Sequence, residues 1–159
     1  MSETLSETLA KHIEAANVLV IAGKIEDTLE RLLLVAGRPI SNRIAKRLFA
    51  GMGALSSFSG KIEVAYLFDL IDESMLKDLL VIKDVRNAFA HTTQYVFFSQ
   101  ERIAAKCRNL STFTAGVDPQ HAFYDRALGL SVALDRVIDR FMLSKALRDK
   151  PTPIVDEED

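Results

Sequence analysis

The sequence predicts an all-α chain folded as one helical bundle, and three observations carry that prediction. Apolar residues recur at spacings of three and four along most of the chain, the repeat of a helix with one buried face. Helix-start and helix-stop residues punctuate those segments. Only one short stretch has strand-like composition, and it lacks a partner strand. At 159 residues the chain fits a single domain with one sizeable core. The bundle is expected over residues 1–148, followed by an acidic tail, 149–159, that reads as disordered.

The first helix is expected from about Ser6 to Ala36, carried by Ile13, Ala16, Val20, Ile25, Leu29, Leu32 and Leu33. Gly23 interrupts it, which implies a bend or a closely packed neighbour. Gly37-Arg38-Pro39 is a stop, glycine after the last helical residue and proline behind it. Ser41 can cap a short basic helix from Asn42 to Phe49. Gly51 to Gly60 holds three glycines and three serines, a loop whose backbone can approach another surface closely. Its serines Ser56, Ser57 and Ser59 are placed to cap the helix that follows, from about Ser59 to Leu70.

Asp72 caps the next helix, and Met75, Leu76, Leu79, Ile82, Val85 and Phe89 form its buried stripe. Thr92 to Phe98 is the strand-like stretch, read as an extended connection packed on the core. A short helix follows from Ser99 to about Asn109. Asp118-Pro119 opens the last helix, a capping carboxylate followed by proline at the first position, and that helix runs to about Arg148.

Composition removes several function classes. The formal net charge is −2, so no global positive field gathers nucleic acid, although a local basic patch remains possible. Cys107 is the single cysteine, which rules out an intrachain disulfide or a thiolate metal cluster, and it reads as a small core hydrophobe. His12 and His121 have no second ligand at metal-binding spacing, so no metal and no cofactor is expected. No apolar run approaches the roughly 18 residues of a membrane helix. The start, Met1-Ser2-Glu3-Thr4-Leu5, lacks the basic-then-apolar order of a signal peptide, so the cytoplasm is the expected location.

The polar end of the fourth helix carries the chemistry: Arg86-Asn87-Ala88-Phe89-Ala90-His91. Arg86 follows Ile82 by four residues and extends the apolar stripe, so its permanent charge needs a partner, with Asp69 or Glu63 as candidates. Arg86 and His91 point about 140° apart on a regular helix, so joint chemistry needs a helix end or a second chain. Asn87 and His91 share another face with Asp84. Histidine titrates near neutrality and suits moving a proton from a 2′-hydroxyl. Arginine offers fixed paired donors and suits a charged phosphate. Against that stands a structural role, Arg86 paired with a buried carboxylate and Asn87 and His91 capping the helix.

Gly53 to Ile62, Ala65-Tyr66, Leu70-Ile71, Asp78-Leu79, Ile82 and Val85 to His91, in that order, resemble the core of the mannitol operon repressor family. The resemblance covers about Gly51 to Cys107 and implies an all-helical fold without a helix-turn-helix, and a role in transcriptional regulation. Arg86-Asn87-x-x-x-His91 also resembles the R-x4-6-H motif of the HEPN superfamily (higher eukaryotes and prokaryotes nucleotide-binding). That resemblance implies a metal-independent ribonuclease acting as a dimer, with Arg86 and His91 catalytic and Asn87 supporting. Where the toxins of that superfamily paired with nucleotidyltransferases carry tyrosine, two residues past the histidine, this chain has Thr93.

Arg38, Arg43, Lys46 and Arg47 form the densest basic cluster, and Arg43, Lys46 and Arg47 fall at helical spacing; a solvated helix face is the default and phosphate binding the alternative. Gly60-Lys61 lacks the remaining residues of a Walker loop. Phe97, Phe98, Phe123, Tyr124 and Phe141 read as core or dimer-interface aromatics. The leading expectation is a regulatory protein, homodimeric, that binds a protein or nucleic-acid partner and not a membrane. The alternative is the endoribonuclease.

Overall fold

The computed structural model describes residues 5–90 and 96–148, apart from the side chains of residues 7, 10 and 11. Within them lie six helices and no strand: α1 (Leu5–Ala36), α2 (Asn42–Phe49), α3 (Phe58–Leu67), α4 (Glu73–Ala90), α5 (Glu101–Cys107) and α6 (Pro119–Arg148). The tail 149–159 and the strand-like residues 92–95 lie outside the described residues; Val96 and Phe98, which close that stretch, are buried.

α1 is continuous through Gly23, and a Cβ added there would meet nothing within 4 Å. The close neighbour expected at Gly23 is therefore absent. Glycine brings no packing benefit at this position and only costs helix propensity. Gly23→Ala is expected to stabilise the fold by about 0.5–1 kcal/mol, or roughly 2–3 °C in Tm by circular dichroism. No gain, or a loss, would show that α1 needs the freedom of glycine there.

Three expected caps form as read. Ser41 Oγ accepts from Ile44 N, Asp72 Oδ1 from Met75 N at 2.8 Å, and Asp118 Oδ1 from His121 N at 3.0 Å. Of the serines before α3, Ser57 is the cap, its Oγ accepting from Gly60 N at 3.0 Å. The surface that the glycine-serine loop approaches is the end of α2. A Cβ on Gly53 would stand 2.3 Å from the Leu48 carbonyl oxygen, and Leu55 N donates to that same oxygen. α3 stops at Leu67, short of the expected Leu70, because Asp69 takes a left-handed conformation (φ 56°). Leu70 N then donates to Ala65 O and Asp69 N to Tyr66 O, a closed C-terminal turn.

α1 and α6 form the spine. At one end Glu14 on α1 accepts from Phe98 N, and the Phe98 ring packs 5.8 Å from Tyr124 near the start of α6. At the other end Arg31 pairs with Asp135, and Lys145 donates to the carbonyls of Val35 and Gly37. The two long helices therefore run parallel, and α3, α4 and α5 pack around them. The core between these helices includes Val18, Ile25, Leu29 and Leu32 of α1, Leu79, Ile82 and Val85 of α4, and Phe123, Leu130 and Leu134 of α6. Phe89, Phe98, Phe123 and Tyr124 make a continuous aromatic run, ring to ring at 5.2–5.8 Å.

Ile13 and Val20, part of the expected helical stripe, are exposed instead, at 53 % and 71 %. They stand within about 20° of Arg31 around α1, as Leu128 does of Asp135 around α6. Because Arg31 and Asp135 pair, exposed apolar residues of both helices border one seam.

Candidate functional site

Two charged side chains penetrate the fold where the apolar pattern places them. Lys61 sits on the face of α3 that buries Phe58, Ile62 and Ala65, and is only 4 % exposed. Its Nζ meets Glu26 Oε1 at 3.0 Å and Glu30 Oε2 at 3.3 Å, two carboxylates one turn apart on α1. Asp78, fully buried on α4, accepts from Ser111 N at 2.7 Å, Ser111 Oγ at 2.5 Å and Arg126 Nε at 2.5 Å. That second network ties α4 to α6 and to the turn after α5. Its role is structural.

The Lys61 network adjoins a polar cleft of about 210 Å³ bordered by α1, α3 and α4. Its walls are Glu26, the start of α3 (Ser56, Ser57, Phe58 and Ser59), and Lys83, Arg86 and Asn87 of α4. The first amides of a helix have no intrahelical acceptor and carry partial positive charge. Ser57 satisfies one of them, that of Gly60. Lys83 and Arg86 add full positive charges on the facing wall, with Lys83 Nζ 3.1 Å from Asp84 at the solvent side. Glu26, the one acid in the lining, is held by Lys61. Amides, two cations and serine hydroxyls make a chemical setting for an anion.

Arg86 is half-buried, and the partner expected for it is not the one found. Asp69 and Glu63 are exposed, and Asp69 stands beyond the end of α3, where its backbone closes the turn. Among the described residues no carboxylate lies within ion-pair distance of Arg86. Its Nη1 donates instead to Asn87 Oδ1 at 3.0 Å, and both side chains face the cleft. Asn87 thus shares a site with Arg86 and not with Asp84, which pairs with Lys83. His91 and Thr93 lie outside the described residues.

The basic cluster of α2 is elsewhere. Arg43, Lys46 and Arg47 are exposed, and Lys46 borders a second cleft with Glu30, Asn42 and Phe49. Lys61 with its two glutamates stands between the two clefts, so the structure does not bring Arg43, Lys46 or Arg47 to Arg86.

Cys107 is fully buried, and burial, with the nearby Asp118 charge, pushes its thiol up to about 11. A thiol held protonated in the core is not a nucleophile. His121 pairs with Asp125 one turn on, on an exposed face. Among the described residues no group of three or more histidine, cysteine, aspartate or glutamate side chains could hold a metal ion, and no helix is long and apolar enough to cross a membrane.

Lys61 was missed by sequence reasoning although it stands four residues before Ala65 and three after Phe58, on the apolar face of its own helix. A charge on an apolar stripe was the available signal, the same one that singled out Arg86. Compared with protein-family models, with curated proteins and with solved structures, the chain matches none.

Proposed function

We propose that the protein is a regulatory protein that binds a nucleic-acid strand through the Arg86 cleft. The observation that carries this reading is the union of Arg86 and Lys83 with the amide end of α3 around one small cleft, with the lining acid Glu26 paired to Lys61, which it shares with Glu30. Phosphodiesters suit such a setting, because arginine and helix amides both donate to phosphate oxygens. The resemblance to the mannitol operon repressor family adds the regulatory role. The exposed residues along the α1–α6 seam, among them Val20 and Leu128, favour a homodimer.

The test is fluorescence anisotropy with labelled single-stranded RNA and single- and double-stranded DNA across a salt series. Arg86→Ala is expected to weaken binding about 10- to 100-fold, the loss of one charge-assisted hydrogen-bonding group. The salt slope should flatten by about 0.7 if one single-strand phosphate contact is lost. Equal affinity for the wild type and Arg86→Ala would reject the cleft as the binding site. Sedimentation of the wild type and of Val20→Asp with Leu128→Asp reads the dimer, which those substitutions should dissociate.

A second reading, the metal-independent endoribonuclease, is favoured by one observation: Arg86 is not occupied by a carboxylate among the described residues and faces the cleft beside Asn87. It requires RNA cleavage in EDTA that disappears in both Arg86→Ala and His91→Ala. Cleavage retained in either variant would remove it, while binding could still stand.

A further inference from the structure

At the end of the bundle where α1 gives way to α2, a cleft of about 490 Å³ opens with almost wholly apolar walls. Leu33, Ile40, Leu48, Phe68 and Phe141 line it, and Arg38 stands among them as the one charged side chain. Beside it Lys145 donates to the carbonyls of Val35 and Gly37, fixing the last turns of α6 against the rim. The neighbouring α2 presents Arg43, Lys46 and Arg47 to solvent. Among the described residues no carboxylate pairs with these three or with Arg38. An apolar trough with Arg38 in its lining and a basic helix, α2, as its neighbour suits an occupant with an apolar segment followed by acids.

The chain itself carries that sequence. After Arg148 come Lys150-Pro151-Thr152-Pro153-Ile154-Val155-Asp156-Glu157-Glu158-Asp159. Ile154-Val155 is the only pair of large apolar residues in this stretch, and four acids follow it directly. The reach is sufficient. Arg148 stands about 10 Å along the helix from Phe141, and the six residues to Ile154 span up to about 20 Å when extended. Pro151 and Pro153 disfavour a continued helix and suit an extended return along the surface.

We infer that residues 149–159 dock back on their own chain, with Ile154 and Val155 in the apolar cleft and the acids at 156–159 against Arg38, Arg43, Lys46 and Arg47. This is independent of the Arg86 cleft. It gives the basic face of α2 an internal acidic partner, so an external polyanion would meet that face only after displacing the tail.

The test uses the full chain with Thr152→Cys carrying a nitroxide, Cys107 being buried and unreactive. Methyl-resolved NMR then reads which side chains the label approaches. Broadening is expected at Ile40, Leu48 and Leu55 around the cleft and not at the core Ile103, and Ile154→Asp with Val155→Asp should abolish it. Absent or uniform broadening, or cleft broadening that survives those two substitutions, would overturn the proposal. Mixing isotope-labelled chains with separately spin-labelled ones identifies the donor. Cleft broadening that arises only between chains would assign the cleft to a second copy's tail and overturn docking in cis.

Discussion

Asp78→Ala is expected to cost about 3–5 kcal/mol, the range for breaking a buried ion pair by removing one partner. For a domain of this size the loss corresponds to a fall in Tm of the order of 10 °C, read by calorimetry. The carboxylate of Asp78 is fully buried and accepts three hydrogen bonds, from Ser111 N, Ser111 Oγ and Arg126 Nε. Without it the Arg126 guanidinium, whose side chain is 17 % exposed, keeps its charge and loses its partner. Water reaches that place poorly, so the penalty stays with the folded state. The companion variant Arg126→Met separates the parts. Combined with Asp78→Ala it should cost clearly less than the two single losses added together, because the second substitution removes the stranded charge. Additive losses would mean that Asp78 acts on Ser111 alone.

Lys61→Met is expected to act on stability and on the cleft together. Lys61 holds Glu26 and Glu30, whose side chains are 16 % and 35 % exposed, so part of the released charge is screened by solvent. A cost of about 2–3 kcal/mol follows, below that at Asp78. The more informative effect is electrostatic. Glu26 lines the Arg86 cleft, and with Lys61 gone its charge faces Arg86 and Lys83 uncompensated. Nucleic-acid affinity should fall although Lys61 itself is not in the lining, and Glu26→Gln in the same chain should restore it. Affinity unchanged in folded Lys61→Met would show that Glu26 does not bear on the cleft. Thermal denaturation and anisotropy on the same preparation keep the two effects apart.

Local signals made most of the fold legible before any coordinates. Ser41, Asp72 and Asp118-Pro119 each fix a helix start through a hydrogen bond to a backbone amide three residues on, and such contacts can be read from neighbours in sequence. The end of α3 was less legible, because Asp69 adopts a conformation that glycine or asparagine would have advertised more clearly. The site was legible in half. Arg86 was singled out by its place on the apolar stripe, but Asn87, expected on another face with Asp84, shares its cleft, the facing wall is the start of α3 and the partner of its lining acid is Lys61. Those relations join residues 35 apart in the chain, as Ser111 and Asp78 are joined across 33. Periodicity marks a charge on a buried stripe; it does not say which distant charge answers it.

The parallel course of α1 and α6 has a consequence during synthesis. Arg31 waits for Asp135 and Val35 for Lys145, separations of 104 and 110 residues. At roughly 5–20 residues per second, a ribosome needs about 5–20 s to deliver the covering helix after α1 has emerged. Until then the surface that becomes the spine, Val18 to Leu32, has only α3 and α4 to shelter it. Slowing translation between α5 and α6 prolongs the exposure of that face and should raise the fraction that aggregates.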